Sequence, residues 1–478
     1  MRPPRSALVT EQNMALLADY YEFTMGKADL DHANNARITE NYFIRKIPQG
    51  AYLLTAGLEQ VVHYVQSLTF QEEDLEWLQR TSGKDMSADL MDYFRHFKFS
   101  GDIYAAPEGT PVFPQEPIIN VTGPSLDVQL FETYLLNVMN YQGLVATKAS
   151  RIVEAAKGRV VLDFGSRRAH GRDAAVLGAR AAYIGGAQGT SLVLAGRLLD
   201  IPYVGTMAHK FIQDRDSEIQ AFRDYAESFP HNCIFLIDTY DTIQGAKNAV
   251  IVAKELEAKG HKLKGVRLDS GNLLHLSTAV RQIFDEAGLD YVNIFASNDL
   301  DEYLIESLLC DKAPIDGFGV GTRLITGANY NPLIGQGGVS ALGGIYKHVE
   351  REELERTLAK MKFSNDKGKS TLPSRKQVSR LLSPDGRFLK DVIHLWDEQP
   401  PKGGIPLLQP IVLQGQQVYD FPSLQEIQAY ATAQKAKLPR QVKTLNPLDP
   451  YDRYDVQISE GLTALMQTLI KQQRGEPV

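Results

Sequence analysis

Cysteine is nearly missing from this 478-residue chain, which has only Cys233 and Cys310. Two cysteines build no disulfide framework, and without a CxxC pair no zinc ribbon is expected. Such sparse usage fits a reducing cytoplasm. Basic charge is in deficit: 51 Lys and Arg against 58 Asp and Glu give a net charge of −7, spread without an acidic tail. This argues against non-specific nucleic-acid binding, so any anion site must be a local basic cluster within an acidic protein. Long apolar runs are lacking too. None reaches the roughly 18 residues of a membrane span. Met1 to Glu11 carries two arginines but no apolar stretch, so it is not read as a signal peptide. No GxxxxGK[ST] loop occurs, and no strand leads into GxGxxG with a downstream acid, so neither a Walker-type nor a dinucleotide site is supported.

What is present is ordinary globular material, 43% hydrophobic and 23% charged, long enough for two or three domains. Leu16 to Met25 is an amphipathic, aromatic-rich helical opening. Asn41 to Lys46 reads as a strand, Ala56 to Leu68 as a helix, and Glu72 to Phe97 as two more. Between Asp102 and Gly123, short strands split by proline and glycine suggest a small β-rich unit. Gln129 to Tyr141 has a helical stripe.

From Arg159 to Thr322 the pattern becomes regular. Apolar strands at Val160–Leu162, Ala181–Ile184, up to Tyr203–Val204, Ile234–Ile237, Gly265–Leu268, Ile294–Ala296 and Ile315–Val320 alternate with helices. Strands apolar on both faces with helical crossovers indicate a parallel sheet. The expected fold is α/β: an irregular (β/α) barrel with an N-terminal α/β domain and a C-terminal extension. The expected domains are 1–125, a barrel domain over 126–346, and a C-terminal segment over 347–478 packing on the N-terminal domain. In that last segment Ser364 to Ser370 reads as an exposed turn, Pro447 to Pro450 as a proline-rich turn, and Ile458 to Lys471 as a helix.

In a parallel array, chemistry gathers at the carboxyl ends of the strands. The polar groups there are Arg167 and Arg168, Thr206 and His209, Asp238, Arg267 with Asp269 and Ser270, Ser297 with Asn298, and Thr322. His209 is either a catalytic imidazole or a satisfied structural one. Gly317-x-Gly319-x-Gly321-Thr322, Ser270-Gly271 and Gly185-Gly186 leave backbone N–H groups able to face phosphate, or are simply tight turns. Asp238 and Asp269 suit Mg²⁺ held partly through water, or the capping of helices. The arginines suit a carboxylate or several phosphates, or surface ion pairs. Together they point to a polyphosphate with magnesium; spacing goes no further.

At this point the residues resemble a known family, the nicotinate phosphoribosyltransferases. The likeness rests on Leu16 to Met25, Phe43-Ile44-Arg45-Lys46, Glu108 to Val112, Glu132 to Leu136, Asp163-Phe164-Gly165-Ser166-Arg167-Arg168-Ala169-His170-Gly171 and Gly205 to His209. It continues through Val266 to Gly271, Gly319 to Thr322 and the stretches after Lys369, so it runs from about residue 14 to about 390 in order. Two departures stand out. Lys210 follows His209 where the family usually has a small hydroxyl residue, and Asn298-Asp299 stands where Gly-Asp is common.

The resemblance implies a type II phosphoribosyltransferase that joins nicotinate to 5-phosphoribosyl 1-diphosphate, giving nicotinate mononucleotide and pyrophosphate for NAD salvage in the cytoplasm. It implies Mg²⁺, ATP as co-substrate, phosphorylation of His209, and a homodimer. Tyr21, Thr206 and Arg267 would bind nicotinate. Arg167, Arg168, Ser270, Gly271, Gly319, Gly321 and Thr322 would bind the phosphoribosyl donor, and Asp238 and Asp269 the metal. The alternatives weighed are a nicotinamide phosphoribosyltransferase, which would need an acidic or neutral partner for the amide, and a magnesium-dependent barrel lyase. The lyase would need a strand-end lysine, for which Lys210 is the candidate. A non-catalytic nucleotide-binding protein is a further one.

Overall fold

Strands buried on both faces cannot stay in water, and residues 144–340 resolve the problem by curling one parallel sheet. The computed structural model describes residues 8–47, 52–328, 330–331, 336–337, 340–353, 356–363, 370–445 and 453–475. The turns expected at 364–369 and at Pro447 to Pro450 lie outside the described residues. By contacts the chain forms two compact units, Leu144–Ser340 and a second one made of Met1–Gly143 with Ala341–Val478. These breaks differ from the expected ones at 125/126 and 346/347. The helix Glu132–Ala155 runs on through the first break. Gly344–Glu353 joins the second unit by pairing antiparallel with Arg37–Ile44.

In the unit Leu144–Ser340 the strands are β1 (Val160–Asp163), β2 (Gly189–Thr190), β3 (Ile234–Leu236), β4 (Gly265–Leu268), β5 (Asn293–Ala296) and β6 (Gly317–Val320). Their order is β2-β1-β6-β5-β4-β3, and every ladder is parallel. The last strand returns to the first, Phe318 opposite Val161. Tyr203 adds a single parallel bridge to Thr190. The two edges of the sheet, Tyr203 and β3, are therefore neighbours in sequence, and no ladder joins them among the described residues. This is an irregular, open barrel. The face it turns to the surrounding helices carries Val161, Phe235, Val266, Ile294 and Phe318, none of them measurably exposed. Outside, Phe222 of the helix Glu218–Ser228 stacks on Phe235 at 4.5 Å.

Two expected strands differ. Ala181–Ile184 closes the helix Arg172–Gly185, and the strand that follows is only Gly189–Thr190. Its alanines give a run apolar enough for a strand, but alanine favours helix and the whole stretch is buried as a helix would be. Tyr203 and Val204 are not a buried strand end: they are 63% and 40% exposed at the sheet's open edge.

A buried charge cluster braces the outside of the barrel. Glu302, the first residue of the helix Glu302–Cys310, meets Lys148 at 2.6 Å and Arg151 at 3.4 Å, all three nearly inaccessible.

The other unit holds a seven-stranded antiparallel sheet in the order Arg356–Ala359, Gly344–Glu353, Arg37–Ile44, Pro117–Pro124, Asp102–Ala105, Gln409–Leu413, Gln416–Gln417. Sequence from both ends of the chain is thus interleaved. A four-stranded sheet around Lys376–Leu382 and Phe388–Leu395 accompanies it, with the helix Glu460–Arg474 close to the expected position. The small β-rich unit expected near 102–123 is the middle of the larger sheet.

Two outcomes follow. Glu302→Gln strands two buried cations and should cost about 3–5 kcal/mol in chemical denaturation. Burial, aided by Lys360 and Arg351, pulls the His348 imidazole down to about 4. The unfolded chain then takes up that proton at higher pH than the folded chain. This contribution is complete above about pH 6.5 and is lost toward pH 4, by at most about 1.4 kcal/mol per unit. Glu22 and Glu40, raised by burial to about 7 and about 8, act with the opposite sign. The histidine's share is therefore read as the difference between wild type and His348→Gln in thermal melts across that window.

Candidate active site

All the parallel strands point one way, so the residues that follow them share one rim. After β1 the chain turns tightly. Buried Asp163 accepts from the Gly165 N–H and the Thr190 hydroxyl, both at 2.8 Å, and burial raises its pKa. This turn presents Arg167 and Arg168 on a short 3-10 helix, both exposed and making no ion pair with any described residue.

Arg267, near the end of β4, ties three rim segments together. Its Nη2 donates to the Met207 carbonyl at 2.9 Å, and its Nη1 donates to Ser297 Oγ at 3.1 Å. Nη1 also lies 3.4 Å from Asp269 Oδ1. Its Nε is buried without a hydrogen-bond partner among the described residues. Burial pulls the guanidinium below its usual range, opposed by Asp269 and Asp238, while Arg167 adds to the depression. An anion arriving here would meet a cation already stripped of most of its water, where each ionic contact is stronger.

His209 opens the short helix His209–Gln213. Its Nδ1 is 3.1 Å from Thr239 Oγ1 and its Nε2 is 3.7 Å from Asp269 Oδ2. The imidazole is thus held between the ends of β3 and β4, and it remains 41% exposed. Asp238 Oδ2 accepts from the Asp269 N–H at 2.9 Å and the Ser270 hydroxyl at 2.6 Å.

One cleft of about 240 Å³ is lined by Phe164, Arg167, Arg168, Arg267, Asp269, Ser297, Asn298, Asp299, Gly319, Gly321 and Thr322. The structure therefore brings together Arg167, Arg168, Arg267, Asp269, Gly319, Gly321 and Thr322. His209 joins them through Asp269, and Asp238 and Ser270 through the same loop, of which Gly271 is the next residue. Thr206 precedes the Met207 carbonyl that holds Arg267, and among the described residues its own hydroxyl reaches only that carbonyl, at 3.4 Å. Lys210 is exposed. Tyr21 belongs to the other compact unit, on the helix Tyr20–Asp31, where burial and Glu132 raise its phenol.

For magnesium, the donor set fits in one respect. Asp238 Oδ1 is buried with no hydrogen-bond partner among the described residues, an oxygen that a hard cation would satisfy. Among the described residues no group of three or more His, Cys, Asp and Glu is arranged to hold a metal. The chain thus offers the one or two carboxylates that Mg²⁺ uses when phosphate oxygens and water complete its shell.

Sequence reading missed Phe164, Thr239 and the Met207 carbonyl, and gave Ser297 no role. Phe164 sits beneath the glycine turn: a Cβ on Gly319 would come within 2.4 Å of its ring. Thr239 directly follows Asp238, so its strand-end position was a usable signal.

The comparisons with known proteins agree over most of the chain. The nicotinate phosphoribosyltransferase N-terminal domain model matches residues 16–140, the nicotinate phosphoribosyltransferase family model 160–334, and the C-terminal domain model 404–466. A nicotinate phosphoribosyltransferase of Mycobacterium tuberculosis is 40% identical over 95% of this chain and 94% of its own length. That of Bacillus subtilis is 40% identical over 81% of this chain and 78% of its own. The crystal structure of human nicotinic acid phosphoribosyltransferase superposes with a TM-score of 0.81 at 28% identity, covering 94% of this chain and 99% of that one. The chain is thus an enzyme by its likeness along most of its length, and it belongs to the nicotinate phosphoribosyltransferase family. Among the described residues no helix is long and apolar enough to cross a membrane.

Gly319→Ala should drive Phe164 from its place, costing about 1–3 kcal/mol of stability, and Phe164→Leu in the same chain should recover part of it. Thermal denaturation of the single and double variants reads both.

Proposed function

We propose that this rim joins nicotinate to 5-phosphoribosyl 1-diphosphate, releasing nicotinate mononucleotide and pyrophosphate for NAD salvage, with ATP consumed through a phosphorylated His209. The observation that carries the reading is the convergence of His209, Arg267, Asp269 and the Gly319–Thr322 turn on one rim.

The pyridine nitrogen attacks the anomeric carbon as the bond to the diphosphate oxygen breaks, through a cationic, oxocarbenium-like state. Holding the two reactants in line supplies much of the rate. Arg267 is the group for the nicotinate carboxylate, because its guanidinium is desolvated and already oriented by Met207, Ser297 and Asp269. Thr206 lies beside it for a hydrogen bond near the ring, and Tyr21 would stack on the pyridine in a homodimer. Arg167 and Arg168, unpaired and exposed, face the diphosphate, while Ser270 with Gly271 and the Gly319, Gly321 and Thr322 turn offer N–H and hydroxyl donors to phosphate oxygens. Asp238, with Asp269, would hold Mg²⁺, which when bound supplies positive charge to the departing diphosphate.

In the ATP half-reaction an imidazole nitrogen of His209 bonds to the γ-phosphorus as the bond to the ADP oxygen breaks. Thr239 and Asp269 orient that ring. Phosphorylation then places about two negative charges at the rim and alters its hold on diphosphate ligands. A nicotinamide-preferring enzyme is the less supported reading, since Asp269, the acid at hand, is already engaged by Arg267 and Ser297, while Arg267 keeps an Nε with no partner among the described residues for a further anion.

Incubation with γ-labelled ATP should give an acid-labile phosphate on the wild-type chain and none on His209→Ala. Label retained on the variant removes His209 from the scheme. Arg267→Ala should raise the nicotinate KM at least about tenfold, the weight of a lost charged hydrogen bond, in steady-state assays.

A further inference from the structure

The turn after β5 is pinned at both ends. At its start the Ser297 N–H donates to the Leu268 carbonyl at 2.8 Å, and the Ser297 hydroxyl bridges Arg267 and Asp269. At its end Leu300 is buried, and Asp301 caps the next helix by accepting from the Leu304 N–H at 2.9 Å. Two residues remain to reverse the chain between these anchors, and both take left-handed backbone: Asn298 at φ +90° and Asp299 at φ +40°. Glycine adopts such a backbone without cost, and Asn is among the few other residues that tolerate it. Neither the turn nor its packing calls for a side chain at 298. Asn298 is exposed, lines the cleft, and makes no hydrogen bond with any described residue.

A strained, unpartnered polar side chain at a cleft points to a ligand instead of to the fold. We infer that the Asn298 carboxamide is a binding group for the phosphoribosyl donor, a contact that a glycine turn would lack. This rests on the activity proposed above. The rest of that wall is uneven in character. Arg167, Arg168, the Thr322 hydroxyl and the glycine N–H groups mainly donate, whereas Asp269 and Asp299 only accept when ionised. A carboxamide does both without charge. It donates to a phosphate oxygen without adding to the crowd of guanidinium groups, and it accepts from a sugar hydroxyl without repelling phosphate. A phosphorylated sugar carries both kinds of group side by side.

The test compares wild type with Asn298→Gly and Asn298→Asp in full-length enzyme. Asn298→Gly should hold or raise the thermal midpoint, since it removes the strain. It should also raise the KM for 5-phosphoribosyl 1-diphosphate by about three- to tenfold, the worth of one neutral hydrogen bond or slightly more. The KM for nicotinate should stay within about twofold. Asn298→Asp keeps the size and the backbone tolerance but adds charge against phosphate, so its donor KM should rise further. A donor KM unchanged in either variant overturns the inference. So does a parallel fall of thermal midpoint and donor affinity in Asn298→Gly, because the residue would then serve the turn alone. Calorimetric titration of each variant with 5-phosphoribosyl 1-diphosphate gives the same comparison without turnover. A wild-type chain that binds this donor but forms no nicotinate mononucleotide would sink the proposed activity and leave the role of Asn298 standing.

Discussion

The desolvated guanidinium of Arg267 is the constraint on which the rim depends. A buried cation must be held by hydrogen bonds and opposite charge, or it costs several kcal/mol. Here the holders come from three places far apart in sequence: the Met207 carbonyl, Ser297 at the end of β5 and Asp269 at the end of β4. Meeting the electrostatic demand of one side chain therefore fixes the relative positions of three loops. The imidazole of His209 is located by the same arrangement, since Asp269 faces both Arg267 and His209.

The charge balance of the chain makes sense against this background. A protein of net charge −7 repels polyphosphates on average. Its cleft counters this locally with Arg167, Arg168 and Arg267, two of them without a carboxylate partner among the described residues. Two buried cations elsewhere in the barrel, Lys148 and Arg151, are by contrast committed to Glu302. Lys148 and Arg151 thus serve the fold, whereas Arg267, although paired with Asp269, and the two exposed arginines face the cleft.

Much of this was legible in the sequence because polar residues that directly follow apolar strands have one place to go. Arg267, Asp269, Asp238 and Thr322 were all read this way, and the parallel sheet puts them on one rim. Apart from Thr239, which follows Asp238 at a strand end, what escaped had no such mark. Phe164 looks like any core aromatic, yet it lies under Gly319. Ala181–Ile184 has the hydrophobicity of a strand and the propensity of a helix, and only packing separates the two. Tyr203 and Val204 looked buried because apolar residues before a turn usually are, whereas the sheet is open beside them. The interleaving of both chain ends in one antiparallel sheet leaves no local signal at all, because the pairing of Arg37–Ile44 with Gly344–Glu353 is set by tertiary structure.

That interleaving has a consequence for biosynthesis. Residues 144–340 are continuous and can collapse as soon as they leave the ribosome, with β6 closing on β1. The other unit cannot. Its N-terminal strands are made first, but their partners at 344–353 and 409–413 emerge only near the end of translation. Strand edges at 37–44 and 102–105 must therefore wait, exposed, while the barrel forms. The nascent chain completes its oldest part last, and dependence on chaperones should be greatest during that interval.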